Sequence, residues 1–194
     1  MIEISTGKQF FRSLRAISQS LEKLQKAMNA DQIGDVINVL KEAFHSEKKV
    51  FVYGIGRSLL VGKAFAMRLM HLGFHSYVTS EVVTTAVGEN DVFVVISKTL
   101  VDDRISVTIE MAKKLRARII VITSIEEAIP LLKKAEHCLI VPDTSKQIRV
   151  SGSYTPLGTL FEISTMVLLD CVVAELMSLL RTTEEEMRTR HANI

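Results

Sequence analysis

Tryptophan is absent from this chain, and its 194 residues carry only three prolines and nine glycines. So few breakers leave little room for long irregular loops. Cysteine occurs only as Cys138 and Cys171, without the spacing of a metal site or a CxxC motif. Both stand in apolar runs and read as buried free thiols of a reducing compartment. No charge dominates: 24 Lys and Arg against 22 Asp and Glu give a formal +2, with the signs interspersed. That balance excludes a broad nucleic-acid footprint. The opening Met1-Ile2-Glu3-Ile4-Ser5 lacks a basic stretch followed by an apolar one, which predicts no signal peptide and a cytoplasmic protein. The longest apolar run, Ile163 to Leu180, has about the length of a membrane span, but Asp170 and Glu175 interrupt it. Charges at mid-helix are costly in lipid, so the run reads as a helix buried between a sheet and another subunit, with no membrane partner.

What is present is a change of rhythm. Residues 8–28 carry Phe11, Leu14, Ile17, Leu21, Leu24 and Met28 at helical spacing. A second helix is predicted over 31–46, with Asp31 as its cap and Ile33, Val36, Ile37, Leu40 and Phe44 on one face. From residue 49 short β-branched runs alternate with helical stretches. Strands are predicted at 50–53, 76–79, 92–96, 118–123 and 137–141, with helices at 58–72, 103–116, 125–135 and 158–181. Near-continuous apolarity marks strands buried on both faces. The alternation predicts an α/β fold: a three-layer, doubly wound, five-stranded parallel sheet, with ligands at the carboxyl ends of the strands. The chain divides into N-terminal helices (1–47), an α/β core (48–181) and a charged tail (182–194) with a short final helix.

The joint Val50-Phe51-Val52-Tyr53-Gly54-Ile55-Gly56-Arg57-Ser58 stands out. An aliphatic strand ends in Gly54 and Gly56, and a helix begins at once. The glycines permit a sharp turn and close backbone approach. The helix aims its free amides at that place, and Arg57 adds a forked, permanent charge suited to phosphate. A tight turn alone would need no more than the glycines. The third glycine of a dinucleotide fingerprint and the Gly-Lys-Ser/Thr of a P-loop are both missing. A smaller anionic ligand, a phosphate ester, fits the joint better than a nucleotide.

The segment Gly54 to Phe74, with Gly-Ile-Gly-Arg-Ser followed by Ala64-Phe65-Ala66-Met67-Arg68-Leu69-Met70-His71-Leu72-Gly73-Phe74, resembles the sugar isomerase (SIS) domain family. More narrowly, it is similar to the 6-phospho-3-hexuloisomerases. Pro156-Leu157-Gly158-Thr159-Leu160-Phe161-Glu162 and the terminal Arg190-His191-Ala192-Asn193 agree, and the resemblance spans almost the whole chain. It implies a single SIS domain over residues 1–194, a flavodoxin-like sheet and a homotetramer with sites between subunits. It also implies interconversion of 3-hexulose 6-phosphate and fructose 6-phosphate, as in the ribulose monophosphate route. Such an isomerisation moves a proton through an enediol, so a carboxylate and an imidazole suffice, with no metal or other cofactor. Glu162, in the first turn of an apolar helix, is the expected base, its pKa raised by burial. The same place would suit a carboxylate that merely answers the helix dipole. His71 and His191 are the expected assistants, although His71 at a helix end also fits a dipole partner and His191 a solvent-exposed tail. Glu81, after the second strand, matches a family glutamate at the level of the sugar hydroxyls.

The chain departs from the family in the loop after the third strand. Relatives read Ser-Gly-Ser-Gly-Glu-Thr there; this chain reads Ser97-Lys98-Thr99-Leu100-Val101-Asp102-Asp103. Both glycines are gone, and Cβ atoms on Lys98 and Leu100 penalise positive φ. Asp102 and Asp103 suit a helix cap but place negative charge near a phosphate. Leu59, Ser80 and Thr85 replace a Gly, a Gly and a Pro of the family. Two outcomes follow. Lys98 replaces the lost amides with a point charge, and Arg57, Ser58, Ser97 and Thr99 hold the phosphorylated hexulose. Alternatively the site has drifted, and the chain is a weak isomerase, a different isomerase or a non-catalytic sugar-phosphate sensor; apart from these two stands a structural subunit that uses its long helix solely for assembly.

Overall fold

The computed structural model describes residues 7–79, 81–125, 130–145 and 154–193. Two helices lead, α1 (Lys8–Ala27) and α2 (Ala30–His45). Asn29, not Asp31, caps α2, its side chain accepting from the amides of Asp31 and Gln32 at 2.9 and 3.2 Å. Asn29 has the extended backbone a cap needs, while Asp31 sits in the first turn facing the dipole.

Five strands follow: β1 (Val50–Gly54), β2 (Ser76–Val78), β3 (Val92–Ile96), β4 (Arg118–Thr123) and β5 (His137–Ile140). The remaining helices are α3 (Arg57–Leu72), α4 (Asp103–Lys114), α5 (Thr159–Leu179) and α6 (Glu184–Thr189). All neighbouring strands are parallel, in the order β2-β1-β3-β4-β5. This is the doubly wound order expected from the alternation. The helix predicted over 125–135 is the exception. Its described part holds only a 3₁₀ turn at Leu132–Lys134, and residues 126–129 lie outside the described ones. Pro130, which lacks an amide donor, stands in the turn that leads into this 3₁₀ segment.

Side chains alternate across the sheet. Val50, Val52, Val92, Val94, Ile96, Ile120 and Ile122 face α2, α3 and α5. Phe51, Phe93, Val95, Ile119 and Val121 face α4. Each such side chain, fully buried, contributes roughly 1.5–3 kcal/mol. Two glycines set how closely α3 lies on the sheet. A Cβ on Gly54 would stand 2.9 Å from the Leu59 amide nitrogen and 3.1 Å from the Ile96 carbonyl oxygen. A Cβ on Gly62 would stand 2.8 Å from Val52 Cγ1.

The apolar run becomes α5, which buries Leu160, Phe161, Leu169, Val172, Val173 and Leu176 and leaves Asp170, Cys171 and Glu175 exposed. Cys171 is therefore not the buried thiol its apolar neighbours predicted: its place on the helix faces outward. Cys138 is half-buried, and burial raises its thiol pKa. Among the described residues no helix is long and apolar enough to cross a membrane.

Candidate functional site

β1 lies between β2 and β3, so the connections leaving β1 and β3 diverge to opposite faces and open a crevice at their carboxyl ends. Gly54 and Ile96 are register partners, which starts the two following loops side by side. α3 begins at Gly56 (φ 59°) and α5 at Gly158 (φ 85°), neither with a side-chain cap. Two uncapped, electropositive helix ends thus border the crevice.

Arg57 leaves the first turn of α3 and donates through Nε to Glu162 Oε2 on α5 at 2.5 Å. The two ends of this bond differ in freedom. The Arg57 side chain is 59% exposed, whereas that of Glu162 is only 12% exposed. Burial of Glu162 was anticipated from sequence; its guanidinium partner was not. Glu162 Oε1 passes 3.6 Å from the place a Gly158 Cβ would fill, and the Lys98 stem passes 3.9 Å from the same place. Arg57, Lys98 and Glu162 therefore converge around Gly158.

The loop after β3 turns without a glycine. Leu100 adopts the left-handed conformation (φ 57°) while its side chain is buried in the α4-side core. Left-handed geometry costs a non-glycine residue about 1–2 kcal/mol; burying a leucine gains roughly 1.5–3 kcal/mol. Burial offsets the strain. The Leu100 amide donates to Ser97 Oγ at 3.3 Å, and the Lys98 carbonyl accepts from Thr123 Oγ1 at 3.0 Å and the Ser124 amide at 3.1 Å. One oxygen of the loop is thus used to brace it, while Thr99 stands exposed. Lys98 Nζ lies 3.7 Å from Asp143 Oδ2, just beyond β5. Burial works to raise the Asp143 pKa, but hydrogen bonds with Ser145 and the Lys98 charge outweigh it and leave the carboxyl below its usual value.

Asp102, expected to place negative charge near the ligand, caps α4 and is gripped by Arg104 at 2.9 and 2.7 Å. Those hydrogen bonds lower its pKa to about 2, and its charge is met locally. Glu81 pairs with Lys63 at 2.5 Å, about 9 Å further along α3 than Arg57. Ser58 occupies the first turn of α3, half-buried.

His71 is buried in the last turn of α3, about 21 Å of helix from Arg57. His191 reaches it from the chain's end, the two rings stacked at 5.1 Å between centroids. Burial, then the charges of His191 and Arg68, hold the His71 pKa below its usual value. Arg190 donates to the His71 carbonyl at 3.0 Å, satisfying the carboxyl end of α3. The two histidines line a cavity of about 500 Å³ with Arg68, Asp170, Glu184 and Arg188. One chain therefore presents two separate clusters, the crevice around Gly158 and the histidine pair. Asp143 is the member sequence reasoning missed; its signal was a carboxylate three residues past the fifth strand, on the side of the strand ends. Among the described residues no cluster of three or more His, Cys, Asp or Glu is arranged to hold a metal ion.

The SIS domain family model matches residues 43–164, which include Arg57, Lys98 and Glu162. The chain belongs to the SIS domain family. Across this SIS-domain chain, similarity extends beyond the match. The 3-hexulose-6-phosphate isomerase of Methanocaldococcus jannaschii is 33% identical over 181 residues, 93% of this chain and 96% of that one. That of Methylomonas aminofaciens is 38% identical over 150 residues, covering 75% and 80%. A solved Methanococcus jannaschii structure, from which a molecular function of 3-hexulose-6-phosphate isomerase was inferred, superposes with a TM-score of 0.78 at 32% identity, covering 93% of this SIS-domain chain and 98% of that one.

Proposed function

We propose that this SIS-domain protein is a sugar-phosphate isomerase that interconverts 3-hexulose 6-phosphate and fructose 6-phosphate. The convergence of two cations and one buried carboxylate around Gly158 carries this reading. Arg57 and Lys98, with the amide ends of α3 and α5, suit a phosphate dianion. Glu162 suits the base. In the forward direction the C–H bond at C2 of the 3-hexulose breaks. Its proton passes to the Glu162 carboxylate and its electron pair to a C2–C3 enediol. The proton returns at C3, and the carbonyl re-forms at C2.

An enediol also needs protons moved between the two oxygens. His71, with its lowered pKa, is neutral at pH 7 and offers one donor and one acceptor nitrogen. Its distance from Arg57 in one chain means that His71 and His191 serve a site formed with a neighbouring subunit in the proposed homotetramer. The single domain over 1–194 and a cytoplasmic, ribulose monophosphate role belong to the same proposal.

Fructose 6-phosphate in deuterated water tests it. Carbon-bound deuterium is the expected result, lowered about 10²–10⁴-fold in Glu162→Gln. Thermal stabilisation by fructose 6-phosphate without incorporation would instead establish a binding protein.

A further inference from the structure

Each cation of the crevice is held by a carboxylate of the crevice itself: Arg57 by Glu162 at 2.5 Å, Lys98 by Asp143 at 3.7 Å. The first pairing is inconvenient for a base. Glu162 Oε2 accepts from the guanidinium, so while Arg57 stays in place that oxygen is closed to a substrate C–H. The two partners also differ in mobility, since the Arg57 side chain is mostly exposed on a long stem and the Glu162 side chain is nearly enclosed in α5. Whatever separates them moves Arg57 and leaves Glu162 in place.

We infer that the phosphate end of the ligand switches on the base: a dianion seated between Arg57 and Lys98 draws Arg57 off Glu162. This rests on the reading of Glu162 as the base. A dianion offers the guanidinium more charge and more acceptor oxygens than a monoanionic carboxylate does. Lys98 is the easier cation to recruit, because its separation from Asp143 is long and both side chains are partly exposed. The carbonyl of Lys98, fixed by Thr123 and Ser124, keeps the residue at the crevice while its ammonium swings. A ligand without the dianion leaves Arg57 on Glu162, and the base stays masked. The device links recognition of one end of the sugar to chemistry at the other.

The test separates the two ends. Unphosphorylated fructose is incubated with the protein in deuterated water, with and without inorganic phosphite, and carbon-bound deuterium is measured. Phosphite is expected to raise incorporation by at least about tenfold. In Arg57→Met the unstimulated rate should rise above that of the wild type and the stimulation should vanish; in Lys98→Met more phosphite should be needed for half the effect. Circular dichroism checks that Arg57→Met folds. If it does not, Arg57→Lys, which keeps the charge and loses the fork, should show reduced stimulation. Absence of stimulation in the wild type, or undiminished stimulation in the folded Arg57 variant, overturns the switch. Fructose 6-phosphate serves as the control. Exchange with it but no phosphite effect overturns the switch alone, whereas no exchange with it overturns the isomerase reading and the switch together.

Discussion

At the scale of single residues, Leu100 shows how a left-handed turn position is held without a glycine. Its backbone takes a left-handed conformation, and its side chain is buried among Phe51, Phe93, Ile105 and Ile109. Substituting glycine relieves about 1–2 kcal/mol of backbone strain but forfeits roughly 1.5–3 kcal/mol of burial. It also adds freedom to the unfolded chain. Leu100→Gly is therefore expected to destabilise the protein, by about 1–2 kcal/mol in urea denaturation. A gain in stability would mean that the strain exceeds the burial. The sequence penalty against Leu100 was real; what a linear reading could not supply was the core waiting for its side chain.

At the scale of elements, α3 is set on β1 by Gly62. Alanine there would improve helix propensity by about 1 kcal/mol, yet its methyl meets the buried, β-branched Val52 at 2.8 Å. Overpacking of this kind costs roughly 1–3 kcal/mol and displaces the helix that carries Arg57. Gly62→Ala should lower the thermal midpoint and raise KM for the sugar phosphate together; an unchanged KM would show that α3 absorbs the methyl without moving its first turn. The strands were legible in sequence because burial on both faces leaves them almost wholly apolar, as in Val92–Ile96. Arg57 and Glu162 could be singled out in the sequence because each lies in the first turn of a helix that follows a glycine. Asp143 was not, because its meeting with Lys98 depends on β5 lying one strand away from β3 across β4, a tertiary fact without local trace. The 3₁₀ turn at Leu132–Lys134 was hidden by an apolar pattern that fits a helix if Pro130 is overlooked.

At the scale of the whole molecule, buried His71 makes stability depend on pH. His71 binds a proton less readily folded than unfolded, so the unfolded chain holds more protons once the pH falls through about 6.5. Stability rises with pH across that range and is lost below it. The urea midpoint should fall between pH 7.5 and pH 5.5, with a smaller fall in His71→Asn; equal falls would place the sensitivity elsewhere. In the proposed homotetramer, Glu162→Gln and His71→Asn subunits damage different parts of the shared sites. Mixed after dissociation, they should recover activity that neither has alone, and failure to recover would put both residues in sites of a single chain. α3 then acquires a second meaning. In the proposed assembly this one helix holds the cation proposed for phosphate at its first residue and an imidazole about 21 Å away in its last turn. On that proposal it would act as a ruler between neighbouring reaction centres, and a tilt imposed on one end would reach the other as a change of aim.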